Sequence, residues 1–306
     1  MPVRISQEVD QALAAGVPVV ALESALITHG LPHPDNIEVA LDAEGEVRRR
    51  DAVPATIAVL DGDVTVGLGP ERLERLADGR DNPVKISVRD LGPAAARAAT
   101  GGTTIASTAH IAARAGIHVL ATGGLGGVHS TDGAAWDVSA DLLALRDASI
   151  VVVCSGVKSI LDLSATLEFL ETASVSVAAY RSDTIPGFYI ADTKVVAPWR
   201  LDQPIEVATA FRAGIEVGHT GAVVVMNSPD PDDALSADEH SHLLHAAMEE
   251  ASKRGVVGKD VTPFLLGEMT ARSKGRTLRA NKALVVRNAG LAAQFAGAIA
   301  TAPKSM

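Results

Sequence analysis

Aromatic side chains and cysteine are the residue types that this sequence has least of. Aromatic residues make up only 3% of the 306 residues, and the chain carries a single cysteine, Cys154. The scarcity of aromatic rings argues against single-stranded nucleic-acid binding, which uses such rings as stacking platforms. One cysteine excludes a disulfide framework within the chain and a cysteine-based zinc cluster, and it fits a protein of the reducing cytosol.

Clustered positive charge and long apolar runs are also missing. The formal net charge is −10 at pH 7, and no basic run is longer than Arg48–Arg50. A protein that binds nucleic-acid phosphates is therefore not expected, although one small anionic substrate needs only a few local donors. The N-terminal segment carries acids and does not fit a signal peptide. The apolar stretch from Ala283 to Ala302 is broken by Arg287, Asn288 and Gln294, so we expect a buried or subunit-facing helix and not a membrane span.

Apolar residues are abundant instead, at 47% of the chain. Seven apolar runs predict strands, at Val17–Leu22, Ala55–Leu60, Val84–Val88, Ile117–Ala121, Ile150–Cys154, Val175–Tyr180 and Ala222–Met226. Helical patterns fall between most of them, most clearly at Asp35–Arg50, at Ser236–Arg254 and from Thr262-Pro263 onward. The alternation predicts an α/β fold with a largely parallel sheet covered on both faces. We expect one domain over residues 1–306, with the Pro/Asp-rich segment 227–233 as a loop within it.

The segment after the predicted strand Ile150–Cys154 is the most informative one. Lys158 lies between that strand and a helical pattern that begins at Ile160. We therefore expect it in a tight turn, at the positive end of a helix dipole, where the neutral amine is favoured. A neutral lysine amine is a nucleophile that forms Schiff bases with carbonyl carbons. A solvated lysine at the start of a helix is the ordinary alternative.

Two further ionisable side chains stand next to or inside predicted strands. Glu23 comes at the carboxyl end of a strand, the edge where open α/β sheets bind ligands. Partial loss of water raises the pKa of such a carboxyl and suits it to act as an acid; a solvated strand-end glutamate is the alternative. Lys85 lies within an apolar strand, where a cation needs a partner. A phosphate would satisfy it, and an ion pair with Asp90 is the competing explanation.

Glycine and hydroxyl residues are concentrated in two loops. Four glycines between Thr122 and His129 let backbone amides approach an anion closely, or they form a purely structural turn. The segment Gly101–Thr108 adds hydroxyl and amide donors, which a capped helix start at Ser107 or Thr108 explains equally well.

Asp137 and Asp141 are four residues apart and share a face if they lie on one helix. One or two carboxylates with waters suit Mg²⁺ or Mn²⁺. A solvated helix start is the alternative explanation for such a pair.

Together these segments form an ordered set of motifs: ALES and THG, then KISVRDL, TTIAST, ATGGLGGVH, WDVSADL, CSGVKSILDL and TPFLL. In the order and the residues of these motifs, the chain resembles the pseudouridine-5′-phosphate glycosidase family, also called the indigoidine synthase A-like family, from about Ile5 to about Gly297. The resemblance implies reversible cleavage of pseudouridine 5′-phosphate with water, at the C1′–C5 bond, to uracil and ribose 5-phosphate. It also implies a homotrimer of three-layer α/β/α sandwiches and a divalent metal, typically Mn²⁺, with Mg²⁺ as an alternative.

The same resemblance implies roles for individual residues. Lys158 matches the covalent nucleophile, which forms an imine with the sugar, and Glu23 matches the proton donor. Asp137 matches the metal ligand. Eight further residues match substrate-binding positions, namely Lys85, Ile105, Thr122, His129, Ser139, Ala140, Asp141 and Asn281. Among them, Thr122 and His129 fall at sugar-phosphate contacts, and Asn281 falls at a uracil contact.

Two other functions are kept as alternatives. A class I aldolase-like lyase also uses a Schiff-base lysine and a phosphosugar, but its lysine usually lies within a strand of a (β/α)₈ barrel, whereas Lys158 follows its strand. A non-catalytic binding protein on the same scaffold would be expected to lose Lys158 or Glu23, and this chain has both.

Overall fold

The structure, a computed structural model, describes residues 2–129, 137–256 and 261–301. The strands in these residues are Val3–Ile5 (β1), Val19–Leu22 (β2), Val53–Leu60 (β3), Asp63–Val66 (β4), Val84–Ile86 (β5), Gly101–Thr103 (β6), Val119–Ala121 (β7), Val151–Cys154 (β8), Ser176–Tyr180 (β9), Arg200–Leu201 (β10) and Val223–Asn227 (β11). The α-helices are Gln7–Ala14 (α1), Asp35–Arg48 (α2), Pro70–Ala77 (α3), Leu91–Ala96 (α4), Ile105–Arg114 (α5), Ala140–Arg146 (α6), Leu163–Thr172 (α7), Pro204–Glu216 (α8), Ala237–Arg254 (α9), Val261–Arg272 (α10) and Arg276–Thr301 (α11). A π-helical turn covers Leu26–Gly30, and a 3₁₀ turn covers Val88–Asp90.

The strands form one sheet in the order β1-β4-β3-β2-β7-β8-β11-β9-β10, with β6 pairing with β3 and β5. Within the described residues every pairing is parallel except those of β3 with β4 and with β6. This confirms the predicted largely parallel sheet. All seven predicted runs form strands, whereas β1, β4, β6 and β10 were not predicted. Those four strands have two to four residues, and none of them contains a continuous apolar run.

The core lies on both faces of the sheet, because side chains alternate along each strand. In β8, Val152 and Cys154 join a cluster with residues of α1, α5, α6 and α7. Val151 and Val153 point to the opposite face and join a cluster with residues of α2, α8 and α11. The fold is therefore a three-layer α/β/α arrangement, as predicted.

Helix α11 is the one described helix that is long and apolar enough to cross a membrane. It is packed inside the protein instead, against α2, α8 and strands β2, β7 and β8. This outcome agrees with the prediction of a buried helix. Its first half also packs with α9 and α10 around Phe188 and Tyr189, in a smaller apolar cluster that includes Ile160 of the Lys158 turn.

Two leucines on α6 allow the contribution of the core to be measured. Leu145 is fully buried, whereas Leu143 is 50% exposed. We expect Leu145→Ala to lower the free energy of unfolding by about 2–5 kcal/mol, because it removes buried apolar atoms and leaves a cavity. The matched control Leu143→Ala should stay within about 0.5 kcal/mol of the parent chain. Urea denaturation measures both, and equal losses would contradict the assignment of the core.

Candidate active site

The centre of the sheet brings the predicted catalytic residues to one edge. Strands β2, β7 and β8 are neighbours and run parallel, so their carboxyl ends lie side by side. Glu23 directly follows β2, Thr122 directly follows β7, and Lys158 comes four residues after the end of β8. The sheet therefore places a carboxyl, a hydroxyl and an amine at the edge where open α/β sheets bind ligands.

Glu23 is held by two hydrogen bonds at this edge. The backbone amide of Leu26 donates to Oε2 at 3.0 Å, and the Thr122 hydroxyl donates to Oε1 at 3.3 Å. Loss of water on burial raises the pKa of Glu23; the positive charge of Lys158 opposes this effect, and the negative charge of Asp141 adds to it. The predicted raised pKa is thus confirmed, and its main cause is desolvation.

Lys158 lies near Glu23, but the predicted helix dipole is wrong for it. Helix α7 begins at Leu163 and is capped by Asp162, whose carboxylate accepts the Ala165 amide at 2.9 Å. Lys158 therefore precedes the cap by four residues, and the dipole effect fades within one turn. The backbone amide of Lys158 donates instead to the carbonyl of Leu125 at 2.9 Å, so the glycine-rich loop fixes its position.

Lys85 is placed differently from the prediction. Val84 and Lys85 are both exposed, and only Ile86 of β5 is buried. Asp90 accepts the Ser87 amide at 3.0 Å and lies 3.7 Å from Arg89, so the proposed ion pair with Lys85 is wrong. A strand that pairs only with β6 leaves its other side open, which explains the exposure.

The ammonium of Lys85 faces the same site as Lys158. Although the Lys85 side chain as a whole is exposed, its ammonium is shielded from water within the site, and this desolvation lowers the pKa of Lys85; the positive charge of Lys158 lowers it further. The negative charges of Asp141 and Glu23 oppose this change. The site thus groups two lysines with two carboxylates, an arrangement in which an incoming phosphate would meet positive charge.

The glycine-rich loop is mostly a structural turn. The amides of Leu125 and His129 donate to backbone carbonyls, and those of Gly126 and Val128 donate to Asp141 and Thr166. These amides are therefore not free to bind an anion. Gly124 is needed for close packing, because a Cβ there would lie 3.2 Å from Cγ of Lys158 and 2.5 Å from the ring of Phe188.

Asp141 and Ser139 organise the start of α6. Asp141 is buried and accepts the amides of Ala106 at 2.9 Å and Gly126 at 3.2 Å, which ties α5 and the glycine-rich loop to α6. Ser139 caps the helix by accepting the Asp141 amide at 3.2 Å, and Ala140 is exposed. Asp137 lies before this cap, so Asp137 and Asp141 do not share one helix face.

Helix α5 begins earlier than predicted. Its N-cap is Thr104, which accepts the Ser107 amide, so Ser107 and Thr108 lie inside the helix. Ile105 is the first residue of the helix, and its side chain is 3% exposed. A polar ligand would therefore meet its backbone amide at the helix N-terminus, and not its side chain.

His129 and Asp137 lie beside each other near Lys158. The His129 amide donates to the Asp137 carbonyl at 2.9 Å, and its Nε2 lies 3.4 Å from the Thr262 hydroxyl. Loss of water lowers the pKa of His129, the Asp137 charge raises it, and the Lys158 charge lowers it. The net direction favours the neutral imidazole at pH 7.

Asp137, the predicted metal ligand, does not belong to a cluster of ligating side chains in the described part of the chain. No group of three His, Cys, Asp or Glu side chains placed to hold a metal occurs in residues 2–129, 137–256 and 261–301. Trp136, which precedes Asp137 in its motif, lies outside the described residues. A half-buried single carboxylate still fits Mn²⁺ or Mg²⁺, since such ions keep several water ligands.

Asn281 brings an unpaired acceptor to the site. This α11 residue is 5% exposed, and its Oδ1 atom has no hydrogen-bond partner within the described ranges. Oδ1 faces Gly123, where a Cβ would lie only 3.2 Å away. Buried acceptors are rarely left without a donor, so a ligand that donates a hydrogen bond here would be stabilised.

Sequence reasoning missed Asn288, which appeared only as an interruption in the apolar C-terminal segment. Asn288 is fully buried, and its amide donates to the Thr122 carbonyl at 2.8 Å. The available signal was a polar residue inside an apolar helix stripe. Buried polar groups in such places carry hydrogen bonds to specific partners.

Comparison with known proteins identifies the family. Residues 8–298 match the family described as indigoidine synthase A like protein. The chain is 48% identical over 299 residues to a pseudouridine-5′-phosphate glycosidase of Streptomyces griseus, covering 97% of this chain and 92% of the relative. It is also 48% identical to a protein of the same name from Saccharopolyspora erythraea, covering 97% of both chains. The chain belongs to the indigoidine synthase A-like family.

Two solved structures have the same fold. The prealnumycin C-glycosynthase AlnA, solved with ribulose 5-phosphate, matches with a TM-score of 0.89 and 37% identity, over 98% of this chain and 97% of AlnA. An indigoidine synthase A-like protein of Thermotoga maritima matches with a TM-score of 0.88 and 32% identity, over 97% of this chain and 96% of that one.

The raised pKa of Glu23 makes a prediction about stability. A carboxyl with a raised pKa binds more protons in the folded chain than in the unfolded one, so it costs stability as pH rises above its ordinary value of 4.5. Glu23→Gln removes this cost. We expect the free energy of unfolding of the variant, minus that of the parent chain, to increase as pH rises from 4 to 8, as measured by urea denaturation across that range.

Exposed Glu249 provides the matched control, since Glu249→Gln removes a carboxylate outside the site. Its stability difference from the parent chain should change little over the same range. A Glu23→Gln difference that is constant, or that grows on acidification, would contradict the raised pKa.

Proposed function

We propose that this chain reversibly cleaves the C1′–C5 bond of pseudouridine 5′-phosphate, with water, to give uracil and ribose 5-phosphate. The observation that carries the proposal is the meeting of Glu23 and Lys158 at one sheet edge, with Thr122 bonded to Glu23. The relatives named pseudouridine-5′-phosphate glycosidase supply the substrate. AlnA, which was solved with a phosphosugar, supports the sugar-phosphate part.

The leaving atom of this reaction is carbon, which leaves far less readily than the oxygen of an ordinary glycoside. The residues favour a ring-opening route instead. Glu23, whose pKa is raised by burial, acts as the acid and donates a proton to the ring oxygen. The Lys158 nitrogen, once it has lost its proton, attacks C1′, so the C1′–N bond forms as the C1′–O4′ bond breaks.

The second half of the reaction releases the base. The Lys158 nitrogen, which becomes positively charged when it attacks C1′, first gives up a proton, and C5 of uracil gains one. The C1′–C5 electrons then return to the uracil ring while the freed nitrogen lone pair forms the C1′=N bond. Water then adds to C1′ of this imine, and the C–N bond breaks to return the amine and free ribose 5-phosphate. Water is thus the only co-reactant.

The remaining predicted residues form the binding site in this proposal. Lys85 and the Ile105 amide face the phosphate, where a cation and a helix N-terminus favour an anion. Thr122 and His129 contact the sugar-phosphate, together with the α6 start at Ser139, Ala140 and Asp141. Asp141 also acts by holding the Ala106 and Gly126 amides in place. Asn281 accepts a hydrogen bond from uracil, which agrees with its unpaired Oδ1.

The proposal includes a divalent cation, Mn²⁺ or Mg²⁺, held by Asp137 and water molecules. When bound, such an ion polarises and orients oxygen atoms of water or substrate. The proposal also includes a homotrimer. Exposed apolar side chains support an assembly, among them Val196 at 76% and Trp199 at 69% exposure.

The fold argues against the aldolase-like alternative. The sheet is an open path from β1 to β10, and Lys158 lies beyond the end of β8. Lysines of that lyase type usually lie on a strand of a closed barrel. The presence of both Glu23 and Lys158 likewise argues against a purely binding role.

The direct test is uracil release from pseudouridine 5′-phosphate with Mn²⁺, followed by borohydride reduction and peptide mass analysis. We expect uracil and a ribose-phosphate adduct on Lys158. Lys158→Ala should lower the rate to background and give no adduct, and Glu23→Ala should lower kcat by about 10²–10⁴-fold, the usual contribution of a general acid.

Lys194→Ala is the matched lysine control, because Lys194 is exposed and pairs with Asp192 outside the site. It should keep the parent rate. Near-normal turnover by Lys158→Ala would refute the covalent scheme. Adducts from other phosphosugars without uracil release would favour the lyase.

The metal proposal has its own variant. Asp137→Asn should raise the Mn²⁺ concentration needed for half-maximal activity by at least about tenfold, since a charged ligand becomes neutral. Titration of Mn²⁺ by electron paramagnetic resonance should show the same loss of binding. Asp147→Asn, at an exposed aspartate paired with Arg146, is the control and should leave Mn²⁺ binding unchanged. Unaltered binding by Asp137→Asn would remove Asp137 as the ligand.

A further inference from the structure

Asn288 makes a set of hydrogen bonds that the predicted roles do not use. Its Nδ2 atom donates to the Thr122 carbonyl at 2.8 Å and to the Ser155 hydroxyl at 3.0 Å. Its Oδ1 atom accepts the Asn227 amide at 3.0 Å and lies 3.4 Å from the Ser155 hydroxyl. We call these four residues the Asn288 network. All four are buried, so the network is shielded from water.

The Asn288 network joins the ends of three adjacent parallel strands. Thr122 follows β7, Ser155 follows β8, and Asn227 is the last residue of β11. Beyond these points the regular hydrogen bonds of the sheet end, and backbone groups need other partners. Helix α11 supplies them by inserting one carboxamide across the strand ends.

Each joined strand end leads to a group of the proposed reaction. The Thr122 hydroxyl donates to Glu23 at 3.3 Å. Ser155 begins the turn that carries Lys158, and its own amide donates to the Gly123 carbonyl at 2.8 Å. Asn288 thus acts at the base of both segments, while its own contacts are with Thr122, Gly123, Ser155 and Asn227.

We propose that Asn288 is a positioning residue, which sets the distance between the Glu23–Thr122 pair and Lys158 by holding the ends of β7 and β8 in register. The proposal rests on the proposed function for its kinetic readout. Small displacements of reacting groups lower rates strongly, so such a residue acts mainly on kcat. A residue that only fills the core would lower stability and leave kcat of the folded fraction unchanged.

Asn288→Asp is the sharpest test, because it replaces the donating Nδ2 group by an oxygen while the size and shape of the side chain stay the same. An ionised carboxylate cannot donate to the Thr122 carbonyl, whereas the protonated form can donate once. The groups bonded to Asn288 within the described residues are all neutral. Burial raises the pKa of a carboxyl placed there, so protonation is reached at mildly acidic pH.

We expect Asn288→Asp to lower kcat by about 10–100-fold at pH 8 with KM changed less than about threefold, because misplacement affects the transition state most. Its kcat, divided by that of the parent chain at the same pH, should rise as pH falls to 6. Asn288→Ala should show a similar loss at pH 8, with a ratio that does not depend on pH.

Ser155→Ala is the second variant if changes at Asn288 prevent folding. It removes one link to the end of β8, and kcat should fall by up to about tenfold, since one neutral hydrogen bond is lost. Phe295→Leu is the control for general destabilisation. Phe295 lies on the same helix, is fully buried and contacts Tyr180, and the change should lower Tm but keep kcat.

Parent-like kcat in folded Asn288→Ala and Ser155→Ala, with only Tm lowered, would overturn the positioning role. So would an Asn288→Asp ratio that stays flat with pH. Failure of the proposed function looks different, because the parent chain itself would then release no uracil. In that case the test is the rate at which ribose 5-phosphate forms a borohydride-trapped adduct with Lys158, measured in the parent chain and in Asn288→Ala. A slower rate in Asn288→Ala would support the positioning role, and an equal rate would overturn it.

Discussion

In a parallel sheet every strand ends at the same edge, and the groups beyond the last ladder bond must find other partners. Here β2, β7, β8 and β11 end together, and the residues that follow them take their partners from one another and from α11. The Thr122 hydroxyl donates a hydrogen bond to Glu23, and the Lys158 backbone amide donates to the Leu125 carbonyl. The Asn288 side chain donates to the Thr122 carbonyl at the end of β7. The site residues therefore also supply the hydrogen-bond partners that the polar groups at this edge of the sheet need.

The protonation of the ionisable groups at this edge depends on burial as well as on their charged neighbours. Two lysines and two carboxylates act on one another, yet desolvation remains the first cause of the pKa shifts of Glu23 and Lys85. Each shift is towards the neutral form of its group, which is the direction that desolvation always takes. A protonated Glu23 can donate to a substrate oxygen. An incompletely paired Lys85 suits an anionic group, so the same physics supports both proton transfer and phosphate binding.

The sequence predicted the main strands and helices well, because fully buried Val-rich runs and amphipathic helices have clear periodicity. It also predicted the desolvation and raised pKa of Glu23, because a glutamate that follows a buried strand tends to lose water. The errors concern environment. Lys85 is exposed because β5 pairs with one strand only. Helix α7 starts at Leu163, later than the apolar pattern from Ile160 predicted, so Lys158 lies outside its first turn and is held by the glycine-rich loop instead. For the four-glycine segment the sequence left an anion cradle and a structural turn as alternatives, and the bonds of the Gly126 and Val128 amides to Asp141 and Thr166 favour the turn.

The sequence by itself determined where the main strands and helices lie, which ionisable groups stand at their ends, and that α11 is buried. These properties depend on residues close together in the chain, so local patterns encode them. The tertiary structure alone decided which groups meet. Thr122 and Asn288 are 166 residues apart, and their hydrogen bond exists because strand order and helix packing bring them together. Local periodicity carries no record of that order, so the partners of a buried polar group emerge only when the layers pack.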